Sequence, residues 1–294
     1  MTPAQLALAR ARTAALLGRL LLDGFTEETL TLVRALPALA DALPDMTADQ
    51  LAARHHQVLI LGVPPFESLF VGDSVSLGGD TSGAAATTWA AIGMKVVRHD
   101  IEADHFGLAL RALGLLCAAE HDGLRDGVDV ARLRALQTQV LADRLFPTWA
   151  PFQVAVSRIA CSEWTAVVQL AGALIGDLAE QLDVKAAGDN AAPDDVDDMV
   201  TVLLTPSRGG LWLSAQTIRE FGVVLNMPVG FGGRRRTLKN LVEGAAGHEQ
   251  LGVLADAMSR ELDLCAKQLG EIVGGDRWLH RLSGARGVVA TLRG

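Results

Sequence analysis

The sequence predicts an all-α protein, and three observations support this fold class. Apolar residues recur at helical spacing in nearly every long segment. Thr2, with Pro3 and Gln5 after it, and Thr47, with Gln50 after it, have the residue types of an N-terminal helix capping box. No segment alternates as a half-buried strand does, and the two short β-like runs, "VLILGV" and "VTVLL", fit equally well as buried helix ends.

The composition excludes several classes of protein. Half of the 294 residues are apolar and a fifth are charged, so the chain can bury a core. A net charge of −8 gives no general attraction for nucleic acid or anionic membrane. The longest uncharged run, 81–94, is shorter than the roughly 20 apolar residues of a membrane-spanning helix. We therefore expect neither nucleic-acid binding nor membrane insertion, and the arginine-bearing N-terminal segment predicts an amphipathic helix rather than a signal peptide.

The three cysteines indicate a compartment. Cys117, Cys161 and Cys265 are odd in number and far apart, without the spacing of metal ligands. We expect them to be reduced thiols in the core of a cytoplasmic protein.

Two proline-containing stretches predict short helices held by aromatic residues. In "VPPFESLF", a double proline starts a helix on which Phe66 and Phe70 lie one turn apart. In "DRLFPTWAPFQVAV", Pro147 ends one helix and Pro151 starts another, and we expect Trp149 between them to be half-buried. Glycines at 24, 93 and 123 stand where helices are expected to end.

A group of three ionisable residues precedes the most apolar helix of the chain. Asp104 is predicted to cap this helix by accepting from the amide of Phe106 or Gly107. Glu102 and His105 flank it. A zinc site would need a face-aligned pair of ligands, which is missing here, and adjacent carboxylates alone do not indicate acid–base catalysis.

The helix that follows is apolar on all sides, as a helix at the centre of a bundle is. One stripe, Gly107, Gly114 and Ala118, is small enough for a close helix contact around Arg111. The polar group therefore lies at the start of a central helix, where a rigid site could hold a ligand.

A change of composition divides the chain. The run 183–198, "DVKAAGDNAAPDDVDD", holds six aspartates and little that could be buried, which predicts a solvated linker over 186–198. It separates a helical body, 1–185, from a helical C-terminal extension, 199–294. In the extension Ser214 is a predicted N-cap, 226–228 a predicted stop, and "RRRTLK" a predicted exposed helix start. We expect the apolar residues of the extension, such as Trp212 and Phe221, to pack against the body and form part of a groove.

Four motifs in a fixed order resemble a known family. They are "FESLFVG", then "WAAIG", then "EADHFGLALRALGLL", and then "DRLFPTWAP". Together they resemble the TorD/DmsD/NarJ family of redox-enzyme maturation chaperones, over roughly Leu51 to Leu182. The residue before the aspartate is often proline in that family and is Ala103 here.

The resemblance implies a helical bundle of TorD-like type without enzymatic activity. We expect no cofactor, although the sequence leaves open whether a guanine nucleotide or the molybdenum cofactor is bound. The resemblance also implies a partner that is the twin-arginine signal peptide, or the immature body, of a molybdenum-cofactor enzyme. By motif, the peptide-binding residues are Asp104 and His105, with further candidates Glu102, Trp89, Phe66, Glu67, Leu69 and Phe70. Carboxylates bind guanidinium groups bidentately and a helical groove takes apolar side chains, so these residue types suit such a peptide.

Two alternatives belong to other classes. One is a metal- or nucleotide-dependent hydrolase that uses Glu102, Asp104 and His105. The other is a structural helical adaptor. The sequence leaves a homodimer open and does not identify a client enzyme.

Overall fold

The predicted fold class is confirmed. In the computed structural model, residues 1–72, 75–96, 100–159, 161–184 and 199–293 are described, and they form a helical bundle without β-strands. A single bridge between Phe66 and His105 is the one β-type pairing recorded for these ranges. Both β-like runs are helical in the structure.

The helices follow one another with short connections. Up to residue 184 they are α1 (Pro3–Asp23), α2 (Glu27–Arg34), α3 (Pro37–Ala40), α4 (Ala48–His55), α5 (Ser68–Val71), α6 (Asp80–Ala91), α7 (Phe106–Arg125), α8 (Ala131–Val140), α9 (Trp149–Ser157) and α10 (Ser162–Gln181). Two π-helical segments, His56–Gly62 and Leu141–Leu145, continue α4 and α8. From residue 199 the helices are α11 (Met199–Leu204), α12 (Pro206–Gly209), α13 (Ala215–Val224), α14 (Arg234–Gly247), α15 (Leu251–Gly270) and α16 (Asp276–Ala290), with a final 3-10 turn, Thr291–Arg293.

Side chains at the helix starts form the predicted caps. The capping boxes at Thr2 and Thr47 are both present, with the glutamine three residues on bonded back to the threonine amide. Ser214 accepts from the amide of Thr217 and caps α13, as predicted. The prediction that a helix ends at Gly123 is wrong, because α7 continues to Arg125.

Helices α1 and α7 form the closest contact of the bundle, and they run antiparallel. An added Cβ on Gly18 would lie 2.8 Å from the carbonyl oxygen of Gly107, and one on Gly114 would lie 3.2 Å from that of Ala11. At the far end, the imidazole of His121 bonds the carbonyl of Ala4 at 2.8 Å. The small-residue stripe predicted on α7 is therefore the surface on which α1 lies.

Aromatic rings fill the centre of the bundle beside α7. The rings of Phe106, Phe152 and Trp149 are 4.7–5.6 Å apart, and Phe70 contacts Phe106 at 6.2 Å. Such tilted and edge-on pairs are the favoured arrangements of aromatic rings. Trp149 is only 2% exposed, so the expectation that it is half-buried is wrong. Its indole N–H donates to Gln153 at 3.0 Å, so the polar edge of the ring is satisfied without solvent.

Residues 199–293 lie against the rest of the bundle. Two tryptophans of this region place their indole N–H groups on backbone carbonyls of the preceding part. Trp212 donates to Gly62 at 2.9 Å, and Trp278 donates to Pro147 at 3.1 Å. The Trp212 ring also contacts Phe70 at 5.7 Å, so apolar residues from both parts form one continuous core. The division into a body, a linker and an extension stays a prediction, and its linker, 186–198, lies outside the described residues.

The arginine-rich start of α14 has a structural role. The Arg234 guanidinium stacks on the Trp212 ring at 3.6 Å and donates to the carbonyl of Leu213 at 2.8 Å. Burial lowers the pKa of Arg234 to about 10. Arg235 donates to the Thr201 hydroxyl at 2.9 Å. These contacts explain the first two arginines of "RRRTLK" as supports of α14.

The close approach of α1 and α7 gives a stability prediction. We expect Gly18→Ala to lower the free energy of unfolding by about 1–3 kcal/mol, because the new methyl group would force the two helix backbones apart. Gly83→Ala in α6 is the matched control, since no described atom beyond the neighbouring residues and backbone of its own helix lies within 4 Å of the added Cβ. The control is expected to stabilise by about 0.5–1 kcal/mol through helix propensity. Urea unfolding of both variants measures the difference, and equal effects would contradict the account.

Candidate functional site

Two chain segments meet at the start of α7 and hold each other by backbone hydrogen bonds. The amide of Phe106 donates to the carbonyl of Pro65 at 2.9 Å, and the amide of Glu67 donates to the carbonyl of Asp104 at 3.1 Å. The double proline delivers the first segment in an extended conformation, which suits this pairing. We call the paired residues 65–68 and 104–106 the clasp.

Asp104 caps a different helix from the one predicted. Its carboxylate is 3% exposed, and Oδ2 accepts from the amide of Ser68, the first residue of α5, at 2.8 Å. The prediction that Asp104 caps α7 is wrong, because α7 begins one residue later and His105 occupies the N-cap. The amide of Gly107 donates to Nδ1 of His105 at 2.9 Å. Asp104 Oδ1 is buried and has no hydrogen-bond partner among the described residues.

A buried contact between Glu67 and Arg144 joins the clasp to the segment after α8. Arg144, from the π-helical segment after α8, donates to Glu67 at 3.2 Å. Burial raises the pKa of Glu67 to about 8, while the Arg144 guanidinium opposes the rise and the carboxylate of Asp104 adds to it. The removal of water from the carboxyl group outweighs its cationic partner. Arg144 was not among the candidate site residues, although it stands in the "DRLFPTWAP" motif.

The predicted aromatic and leucine residues surround the clasp. Trp89, Leu69 and Phe70 are all buried, and the Trp89 indole donates to the carbonyl of Ala103 at 2.7 Å. Phe66 is partly exposed, and its ring stands edge-on to His105 at 4.8 Å. The structure therefore brings all eight predicted residues together.

Glu102 is the one predicted carboxylate on the surface. Its Oε2 accepts from the Ser82 hydroxyl at 2.7 Å, and the backbone of Gly78 passes directly over it. Gly78 has φ +80°, and an added Cβ would lie 3.1 Å from the carboxylate, so this position requires glycine.

Exposed apolar side chains stand on the chain that leads to Gly78. Leu77 is 54% exposed, and Val71 and Val75 are exposed as well. We call these three residues together with Glu102 the rim. Sequence reasoning missed the apolar part of the rim, since the sequence does not show which valines and leucines are exposed.

Two findings bear on the classes considered from the sequence. In the described ranges, no three or more His, Cys, Asp and Glu side chains lie together in a way that could hold a metal ion. None of the described helices combines the length and the apolar character needed to cross a membrane. All three cysteines are buried and free, as predicted.

The fold and the clasp define a class of protein. Both paired segments, "FESLF" and the Asp-His start of α7, belong to the sequence motifs that resemble the TorD/DmsD/NarJ family of chaperones. Residues 27–153, a little under half of the chain, match the model of the nitrate reductase delta subunit family, which supports this resemblance; the matched segment contains the clasp, Trp89 and α7. This is a family of chaperones, not enzymes, that assist the maturation of molybdoenzymes. No curated protein and no solved structure matches the chain at a significant level.

The raised pKa of Glu67 gives a pH-dependent prediction. The folded-state pKa of about 8 lies above that of an unfolded chain, about 4.3, so ionisation favours unfolding. The stability contributed by the protonated form is complete below about pH 4 and falls as pH rises towards 8. Relative to the wild type, Glu67→Gln should gain on the order of 3 kcal/mol in free energy of unfolding between pH 5 and pH 8.5.

Denaturant unfolding at a series of pH values measures this gain. Glu27→Gln, at an exposed site on α2, is the control for the loss of one carboxylate. A constant difference between Glu67→Gln and the wild type over the whole range would show that Glu67 does not titrate in this window.

Proposed function

We propose that the protein is a cytoplasmic chaperone that binds the twin-arginine signal peptide, or the immature body, of a molybdenum-cofactor oxidoreductase. It holds this client until the cofactor has been inserted. The membership of residues 27–153 in a family of molybdoenzyme maturation chaperones supports the general role. The finer statement, which part of the client binds and where, rests on the surface beside the clasp.

The rim is the observation that carries this proposal. It combines exposed apolar side chains with a carboxylate that is held in place by Ser82. A twin-arginine signal peptide has the complementary chemistry: two guanidinium groups followed by an apolar stretch. A carboxylate binds a guanidinium group through two parallel hydrogen bonds, and Val71, Val75 and Leu77 offer apolar contact beside it.

The eight predicted residues then have two kinds of role. Glu102 and Phe66 reach the surface and contact the peptide. Six buried residues keep the rim in position: Asp104, His105, Trp89, Glu67, Leu69 and Phe70. The hydrogen bond from Ser68 to Asp104 fixes the start of α5, and the bond from Trp89 to Ala103 fixes the backbone next to Glu102.

Titration calorimetry of the full chain tests the proposal. The ligands are the signal peptides of the molybdoenzymes encoded in the same genome, each with a variant in which both arginines are replaced by lysine. We expect saturable binding of at least one peptide and weaker binding of its lysine variant, because lysine lacks the planar fork. Indole emission is a second readout, since Trp89 bonds the residue next to Glu102. No saturable response to any of these peptides would contradict the proposal.

The rim gives a specific prediction. Glu102→Gln keeps the size of the side chain and can still accept from Ser82, but it loses the charge. A hydrogen bond to a charged group contributes about 1.5–3 kcal/mol, so we expect roughly tenfold or greater loss of affinity for the twin-arginine peptide. Glu27→Gln on α2 is the matched control and should bind as the wild type does. Equal affinity of Glu102→Gln and the control would remove Glu102 from the site.

A further inference from the structure

A second concave surface lies on another side of the bundle. It is a groove of about 740 Å³ between α10, the side of α9, and the turn Glu271–Val273 that joins α15 to α16. This volume is in the range of ligand sites, about 300–1,000 Å³. We call it the acidic groove. One of its walls comes from residues after 199, so the extension predicted from the sequence completes it.

All the charged side chains among the described residues that line the acidic groove are carboxylates. Asp177, Glu180 and Asp183 line one side, Glu271 lines the other, and no Lys or Arg is among the described residues that line it. Asp177 pairs with Arg10 at 2.7 Å. The other three carboxylates form no ion pair with any described residue, and all three side chains are exposed. Carboxylates facing each other across a groove raise the local affinity for a cation.

The floor and one wall of the acidic groove are apolar. Gly172 and Gly176 line the α10 side, and Ile272 and Val273 stand opposite, with Phe146 at one end. Val273 approaches Gly176 closely, with 3.1 Å between its Cγ2 and an added glycine Cβ. A ligand that fits both features has a cationic head and apolar atoms.

Buried amide groups indicate what else the ligand offers. Gln153 lines the acidic groove and is only 9% exposed. The Trp149 indole N–H donates to its Oε1, which fixes the orientation of the carboxamide, since an indole can only donate. Gly172 makes room for this bond, because an added Cβ would collide with the carboxamide. The Nε2 group of Gln153 has no acceptor among the described residues and is available to a ligand carbonyl.

A smaller cavity of about 230 Å³ lies beside the acidic groove and shares Gln153 and Glu271 with it. Gln268, on α15, lines this cavity, and its Oε1 is buried without a donor in the described structure. One unused donor and one unused acceptor in adjacent cavities match the two polar groups of a peptide backbone. This observation is independent of the carboxylates.

We propose that the acidic groove binds an extended, arginine-bearing segment of the client polypeptide, at a site separate from the rim. Glu180, Asp183 and Glu271 accept from the guanidinium groups, while Gln153 and Gln268 bond the backbone. The choice of client rests on the proposed function, but the chemistry of the ligand rests on the acidic groove alone. The site depends on both parts of the chain, because Gln268 and Glu271 lie beyond residue 199.

Calorimetry with the full chain and two capped hexapeptides tests this proposal. The peptides have the sequences ALRRLA and ALEELA. We expect ALRRLA to bind and ALEELA to give no saturable heat. The double variant Glu180→Gln/Glu271→Gln should lose at least about tenfold in affinity for ALRRLA, and Glu27→Gln/Glu243→Gln, with the same change of net charge at exposed sites, should lose little. The salt dependence of binding should be weaker in the groove variant than in the wild type, a change that a merely structural effect would not produce.

The outcomes separate this proposal from the proposed function. Binding of ALRRLA that falls in the groove variant and persists in Glu102→Gln supports the acidic groove, whether or not a whole signal peptide binds. Binding that falls in Glu102→Gln and persists in the groove variant overturns it and leaves the rim as the site. Equal binding of ALRRLA and ALEELA, or no binding of ALRRLA to the wild type, also overturns it. Failure of every whole signal peptide to bind would instead contradict the proposed function.

Discussion

The hydrogen bonds of the clasp are the constraint on which the rest of the site depends. The Asp104 carboxylate on the Ser68 amide, at 2.8 Å, fixes the start of α5 to the residues that open α7. A buried amide that lost this acceptor would cost about 1–3 kcal/mol, which is a large share of the stability of a typical domain. The backbones of α7 and α1 are in close contact, which fixes the start of α7. The clasp residues that open α7 are therefore held in position as well.

The two surfaces proposed for binding, the rim and the acidic groove, lie on different sides of this rigid centre. On one side, the backbone of Gly78 passes over the Glu102 carboxylate, and the exposed Leu77 directly precedes Gly78 in the chain. On the other side, the hydrogen bond from Trp149 fixes the carboxamide of Gln153, which lines the acidic groove, to the aromatic cluster. The residues after 199 contribute to both sides, since Trp212 packs on Phe70 and the turn with Glu271 closes the acidic groove.

Local signals were predictable from the sequence, and long-range ones were not. The capping boxes at Thr2 and Thr47 and the all-round apolar character of α7 depend on residues within a few turns, and the structure has them as predicted. The cap of α7 was predicted at Asp104 because aspartate is the stronger N-cap residue. The helix starts one residue later because the amide of Phe106 is bonded to Pro65, a residue that no local pattern connects to it.

The same distinction applies to the candidate site. Motif order located the eight candidate site residues but gave no information on burial, so Asp104 and Glu102 looked alike although one is buried and the other exposed. Arg144 was missed because its partner, Glu67, is far away in the chain. The acidic groove depends on Gln153, Glu180 and Glu271 meeting in space, and no spacing in the sequence reports that.

The central claim is that a client peptide binds beside the clasp without opening it. Hydrogen–deuterium exchange of the full chain, with and without a saturating twin-arginine signal peptide, tests this most directly. The account predicts slower exchange in the segments that carry Val71, Leu77 and Glu102, and an unchanged, slow exchange at the Ser68 and Phe106 amides of the clasp. Faster exchange at Ser68 and Phe106 on binding, or protection confined to segments away from both the rim and the acidic groove, would contradict it.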